Sequence, residues 1–126
     1  MLDASVLIAF LDGDDAYHGA AEELFASAID DELGASSLTL AEVFVAPVRT
    51  HRLEPALRAL RDLDVRELPF PPGAAVRLAE LRAATGLKMP DCCVLLAAEG
   101  AGAMVATFDV RLAVAAVDQH LPVLGR

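Results

Sequence analysis

Four of the nineteen acidic residues in this chain stand apart, because each is the lone charge in an apolar stretch. Asp3 sits in Leu-Asp-Ala-Ser-Val-Leu-Ile, and Glu42 in Ser-Leu-Thr-Leu-Ala-Glu-Val. Asp91 sits in Met-Pro-Asp-Cys-Cys-Val-Leu-Leu, and Asp109 in Val-Ala-Thr-Phe-Asp-Val. Most of the others keep polar company: Asp12, Asp14 and Asp15 in a turn, Glu22, Glu23, Asp30, Asp31 and Glu32 along an exposed helix face and its end, Asp62, Asp64 and Glu67 as solvated charges. An ionised carboxylate among apolar neighbours is costly unless it is paired, hydrogen-bonded or bound to metal. If the four converge to about 5 Å, each pair repels by roughly 3 kcal/mol at an effective dielectric near 20. Such a cluster takes up protons or a cation. Oxygen donors without cysteine or histidine select hard ions, Mg²⁺ or Mn²⁺. The chemistry that needs such an ion is phosphoryl-ester hydrolysis, in which it acidifies and orients a water and neutralises charge on the phosphate.

A plainer reading stands beside this one. Asp3, Asp91 and Asp109 fall where helices are expected to begin, and an N-cap contributes about 1 kcal/mol. Taken singly, each is more readily a cap than a ligand, and the two roles are compatible. Glu42 is the only ionisable residue between Leu33 and Val48. Arg49 shares its helical azimuth but lies about 10 Å along the axis, too far for a direct pair. The alternative for Glu42 is a partly exposed residue on a thin stripe with Thr39, Val45 and Ala46.

The elements that must position these acids are legible from periodicity. Leu2 to Ile8 reads as a strand stub running into a helix. Tyr17, Ala21, Leu24, Phe25 and Ala28 share one helical face. Gly34 to Ser37 is a short strand. Leu38 to Val48 is helical in period but apolar all round, which predicts a buried helix that Pro47 ends or kinks. Leu57, Leu60 and Leu63 stripe the next helix, Val65 to Leu68 is a strand, and Pro69, Pro71, Pro72 and Gly73 break the chain. Ala74, Leu78 and Leu81 stripe a helix that Gly86 ends. Pro90 and Asp91 open another, running to about Gly100. Met104 to Ala106 is a buried strand, Asp109 opens a short helix to about Val117, and Leu121 to Leu124 is a last strand. Strands alternating with helices imply one α/β domain over residues 1–126, with a mostly parallel sheet covered on both faces. Ligands in such sheets sit beyond the carboxyl ends of the strands at a topological switch point.

Composition narrows the function further. The 126 residues are 56% hydrophobic, which argues against disorder. No stretch free of charge exceeds nine residues, far shorter than a membrane span, and no basic segment opens the chain, so a soluble cytoplasmic protein is expected. The net charge of −9 argues against holding nucleic acid by a general field. Local positive charge would have to come from a metal ion and placed side chains such as Arg49, Arg52, Lys88 and Arg111, each readable equally as a solvated charge. The adjacent Cys92 and Cys93 have no zinc-like spacing to His18, His51 or His120 and read as small core residues on a helix.

The four acidic blocks, in this order, resemble the PIN-domain family, and most closely its small stand-alone members, the VapC toxins of toxin–antitoxin pairs. The resemblance covers essentially the whole chain. It implies a three-layer α/β/α sandwich with a mostly parallel five-stranded sheet of order 3-2-1-4-5. It also implies that Asp3, Glu42, Asp91 and Asp109 hold one or two Mg²⁺ or Mn²⁺ ions, with Ser5 supporting Asp3 and Thr107 supporting the last acid. The activity implied is endonucleolytic hydrolysis of structured RNA, tRNA or rRNA, by metal-activated water. The partners implied are a second copy of the chain and a small antitoxin whose tail lies in the active-site groove. The chain departs from the family in that only two residues precede Asp3, so a weak first strand is expected.

Competing readings have less support. The haloacid-dehalogenase pattern wants Asp-x-Asp after the first strand, whereas Asp3 is followed by Ala4 and Ser5. A receiver domain wants an early acidic pair after a full strand, and Asp14-Asp15 lies in a turn. A non-catalytic PIN-like module, RNA-binding or scaffolding, would be marked by lost acids, and all four are present.

Overall fold

Successive residues of a strand point to opposite faces of its sheet, and that rule divides this protein into layers. In the computed structural model, which describes residues 1–124, Met1, Val105 and Val123 pack with one apolar cluster, while Leu2, Ala35 and Ala106 pack with another. Seven helices and four short strands supply the two clusters: α1 (Ala4–Leu11), α2 (His18–Ser27), β1 (Leu33–Ser36), α3 (Ser37–Arg49), α4 (Leu53–Asp62), β2 (Val65–Leu68), α5 (Ala74–Thr85), α6 (Met89–Ala101), β3 (Val105–Ala106), α7 (Val110–Asp118) and β4 (Val123–Leu124). The first cluster lies under α5, α6 and α7, and the second under α1 to α4.

The strands form two parallel pairs, β1 with β2 and β3 with β4. Leu2 joins them. Its N–H donates to Gly34 O at 2.8 Å, and it forms a parallel bridge with Ala106, whose N–H donates to Met1 O at 2.8 Å. The spatial order is therefore β2-β1-Leu2-β3-β4, the expected order with the first strand reduced to a single bridging residue. Leu2 is 1% exposed, so what the first strand lacks in pairing it recovers in burial.

The helical expectations needed correction at α3 and at Tyr17. α3 is not buried all round: Thr39, Leu40 and Val43 face the core, but Val45 and Val48 are 45% and 54% exposed. Apolar composition is not burial when only one flank of a helix has a neighbour. Nor does Pro47 end α3, which continues to Arg49. Placed in the last turn, the proline deletes one internal N–H bond near an end where helices fray anyway, so the cost is below that of a mid-helix proline. Tyr17 is the other correction: it precedes α2 rather than sharing its buried face, and it is 55% exposed. Elsewhere the punctuation works as read. Gly86 adopts φ +70° and closes α5, which turns the chain so that Pro90 and Asp91 fall in the first turn of α6.

Candidate active site

Because the strands are parallel, their carboxyl ends share one edge, and three of the four acids gather there by chain connectivity alone. Asp3 follows Leu2. Thr107, Phe108 and Asp109 follow β3 on one side of it, while β1 lies on the other and feeds α3, which carries Glu42. The chain leaves Leu2 toward β1 and returns to its opposite flank as β3, so this edge is a switch point. Asp91 arrives from the start of α6, where the helix dipole favours a carboxylate.

Asp3 is buried, Asp91 is half-buried, and Glu42 and Asp109 are exposed. The acids thus run from the floor of the site to its solvent edge. Asp3 does not cap α1 with its side chain. Instead its Oδ2 accepts hydrogen bonds from Ser5 Oγ and Thr107 Oγ1, both at 2.7 Å. The two hydroxyls then receive the backbone of the following loop: Phe108 N–H donates to Ser5 Oγ at 3.1 Å, and Asp109 N–H to Thr107 Oγ1 at 2.9 Å. Thr107 therefore holds the carboxylate of Asp3 and only the backbone of Asp109. Asp109 is a true N-cap, its Oδ1 accepting from Arg111 N–H at 2.9 Å and Leu112 N–H at 3.4 Å. Asp91 caps nothing and, like Glu42, accepts no hydrogen bond at its carboxylate among the described residues.

These bonds leave a free oxygen on every acid: Oδ1 of Asp3, Oδ2 of Asp109, and both oxygens of Glu42 and Asp91. The acids also feel one another. The Asp91 carboxyl is pushed up to about 6, first by burial and then by the charges of Asp3, Asp109 and Glu42, with Lys88 pulling the other way. Glu42 is raised by desolvation and by Asp3. Among the described residues, no three acidic, imidazole or thiol side chains stand close enough to form a closed cage as they are. The donor set nevertheless fits a hard divalent cation, because it is all oxygen, mutually repelling, and carries two carboxylates free to swing.

Two expected outcomes follow from this geometry. Thr107→Val removes a hydroxyl that a buried carboxylate depends on, so it should lower the urea midpoint by the equivalent of about 1–3 kcal/mol. It should also weaken Mn²⁺ binding by about 10–100-fold, the usual cost of losing a residue that orients a ligand; calorimetric titration reads this. The second outcome concerns pH. A carboxyl whose folded pKa exceeds its ordinary value of 3.8 loses its proton later when folded, so stability falls as pH rises from about 4 to about 6 and the loss is complete above that. Asp91→Asn has no such loss. In chelator, its melting temperature should gain on wild type across that window and hold the gain at neutral pH.

The other candidate side chains divide. Lys88 is near enough to act on Asp91. Arg111 lies two residues after Asp109 and donates its backbone N–H to that cap, and Arg52 shares with Glu42 the wall of a groove of about 560 Å³ between α1, α3 and α4. Arg49 is exposed at the end of α3, and nothing ties it to the acids. Cys92 and Cys93 are buried in α6 with burial raising both thiols. No local pattern marks the groove in the sequence, because its wall is assembled from three helices.

An α/β domain with a parallel sheet of this order and an open acidic cluster at the switch point is a PIN-type domain. The chain belongs to the PIN domain family, which residues 1–118 match. Among solved structures it is similar to a toxin–antitoxin complex from Klebsiella pneumoniae, at 22% identity over 89% of this chain and 88% of that one, with a TM-score of 0.74. It is also similar to the Sarcin-Ricin loop cleaving toxin VapC20 of Mycobacterium tuberculosis, at 21% identity over 90% and 92% of the chains, TM-score 0.75. A protein of Pyrobaculum aerophilum aligns at 24% identity over 90% and 82%, TM-score 0.62. No curated protein matches the sequence significantly.

Proposed function

We propose that this protein is a Mg²⁺- or Mn²⁺-dependent endoribonuclease, the toxin of a type II toxin–antitoxin pair, cutting structured RNA in the cytoplasm. The observation that carries the reading is Asp91, a carboxyl lifted to about 6 by burial and by three further acids at the switch point of the sheet. That arrangement is unfavourable in the free protein and is relieved by a cation. Asp3, Glu42, Asp91 and Asp109 would hold the ion, and Ser5 and Thr107 would orient Asp3. When bound, the ion supplies a Lewis acid that neutralises phosphate charge and acidifies water. The chain's own part is to fix Asp3 on two hydroxyls, to keep Asp91 half-desolvated so that its charge acts at low dielectric, and to leave Lys88 and Arg111 at the rim for phosphate contact. Two neighbours are themselves a toxin–antitoxin complex and a Sarcin-Ricin loop cleaving toxin, which supports the substrate class.

The partners follow from the same surfaces. The apolar groove ending at Glu42 suits an amphipathic antitoxin segment, whose tail would carry an Arg or Lys toward the acids, since a guanidinium there can stand in for the metal. The exposed Val45 and Val48 suit a second copy of the chain. The test is to sequence RNA 5′ ends in cells expressing wild type or Asp91→Asn. New ends at one or a few sites with wild type alone are the expected result; identical end profiles would overturn the reading.

A further inference from the structure

Tyr17 and Phe108 form a stacked pair, with ring centroids 5.2 Å apart and planes 15° from parallel. Phe108 is fixed from below. Its side chain packs against the core cluster that holds Leu2 and Ala106, and its backbone N–H is bound to Ser5 Oγ, the hydroxyl that also holds Asp3. Its chain neighbour on one side is Thr107 and on the other Asp109. Tyr17 lies over it with its backbone N–H held by Asp15 Oδ1 at 2.8 Å, and remains 55% exposed. The protein thus keeps a flat aromatic face in water, on a rigid mount, one residue from an acid of the proposed catalytic cluster. Nothing within the described residues covers it.

From this we infer that the Tyr17–Phe108 stack is a platform for a nucleobase of the RNA, next to the phosphate that is cut; the inference rests on the ribonuclease reading above. Three physical points favour it. Every base has a π-face, so stacking needs no charge and is not opposed by the net −9 that penalises phosphate contacts elsewhere on the surface. A pre-stacked ring loses little freedom on binding, unlike a lone exposed tyrosine. And the platform is tied through Ser5 to the carboxylate floor, so a base on Tyr17 and a phosphate at the acids are held by one rigid unit. Tyr17 is then a positioning residue that holds the nucleotide flanking the cut, whatever its base.

The chain contains one tyrosine and no tryptophan, so its intrinsic fluorescence reports Tyr17 alone. The probe is a synthetic RNA spanning the cut site mapped in cells, added with Mg²⁺ to the Asp91→Asn protein so that it binds without being cut. The inference expects quenching of Tyr17 on binding. An abasic nucleotide at one position beside the cut should remove the quenching and weaken binding roughly 5- to 100-fold. In the active protein, Tyr17→Phe should keep the wild-type KM. Tyr17→Leu, which preserves apolar bulk without the ring face, should raise KM by that same factor and leave kcat near wild type. If the RNA binds and is cut while fluorescence and the abasic series stay flat, the platform is overturned and the ribonuclease reading stands. Quenching by a protein partner but not by RNA overturns it in favour of a protein contact. If no RNA is cut by wild type, both fall together.

Discussion

Asp91→Asn is expected to reduce RNA cleavage by on the order of 10²-fold or more while leaving the protein folded, because losing even a residue that only orients a metal ligand costs about 10–100-fold. Asp91 is the cleanest of the four to change. Its side chain makes no cap, and its carboxyl is pushed up to about 6, first by burial and then by the other three charges. Asn preserves shape and removes the anionic oxygen a hard cation needs. Asp3→Asn and Asp109→Asn should lose activity to a similar degree. For Asp109 the comparison separates two roles in one residue: its Oδ1 caps α7, and Asn caps about as well as Asp, so stability should hold while cleavage falls. Glu42→Gln should behave likewise. Asp14→Asn, in the polar turn before α2, is the control and should leave the rate unchanged. Rates come from purified variants whose folding is checked by circular dichroism.

Removing the metal should act on every acid at once. EDTA is expected to abolish cleavage and to lower the melting temperature of protein equilibrated with saturating Mn²⁺. A ligand at 100 times its Kd stabilises the native state by about 2.7 kcal/mol, which in a domain of this size is a shift on the order of 10 °C. Adding Mg²⁺ or Mn²⁺ back should restore both. The Asp91→Asn protein should show a much smaller metal-dependent shift and, in chelator near neutral pH, a higher melting temperature than wild type, since one member of a repelling set has been neutralised.

Most of the scaffold could be read before any coordinates, because strands alternating with striped helices and glycine or proline stops are local signals. Gly86 ends its helix where expected, and Val65 to Leu68 is the strand it was read to be. The acids were legible for the same reason, each a solitary charge in apolar sequence. What could not be read was exposure. The sequence marks all four acids as lone charges in apolar stretches and offers an exposed position only for Glu42, as the alternative reading; Glu42 and also Asp109 reach solvent while Asp3 is buried, because exposure depends on which flank of an element another element covers. The same ignorance of neighbours made α3 look buried all round. Thr107 supports Asp109 as expected, but only through the Asp109 backbone N–H, and its hydroxyl also donates across the sheet to Asp3, a contact between residues 104 apart in sequence. The pairing of Tyr17 with Phe108 and the groove beside Glu42 also lie between distant segments and leave no periodic trace.

The central claim is that these carboxylates hold the ion on which RNA cleavage depends. Its most direct test is a titration of Mn²⁺ into wild type and Asp91→Asn, following bound ion by electron paramagnetic resonance and single-turnover RNA cleavage in the same samples. The account predicts that in wild type bound Mn²⁺ and cleavage rate rise together to saturation, and that in folded Asp91→Asn both curves collapse at the same concentrations. Wild-type cleavage at full rate in metal-free buffer, or folded Asp91→Asn binding Mn²⁺ and cutting RNA as wild type does, would contradict it.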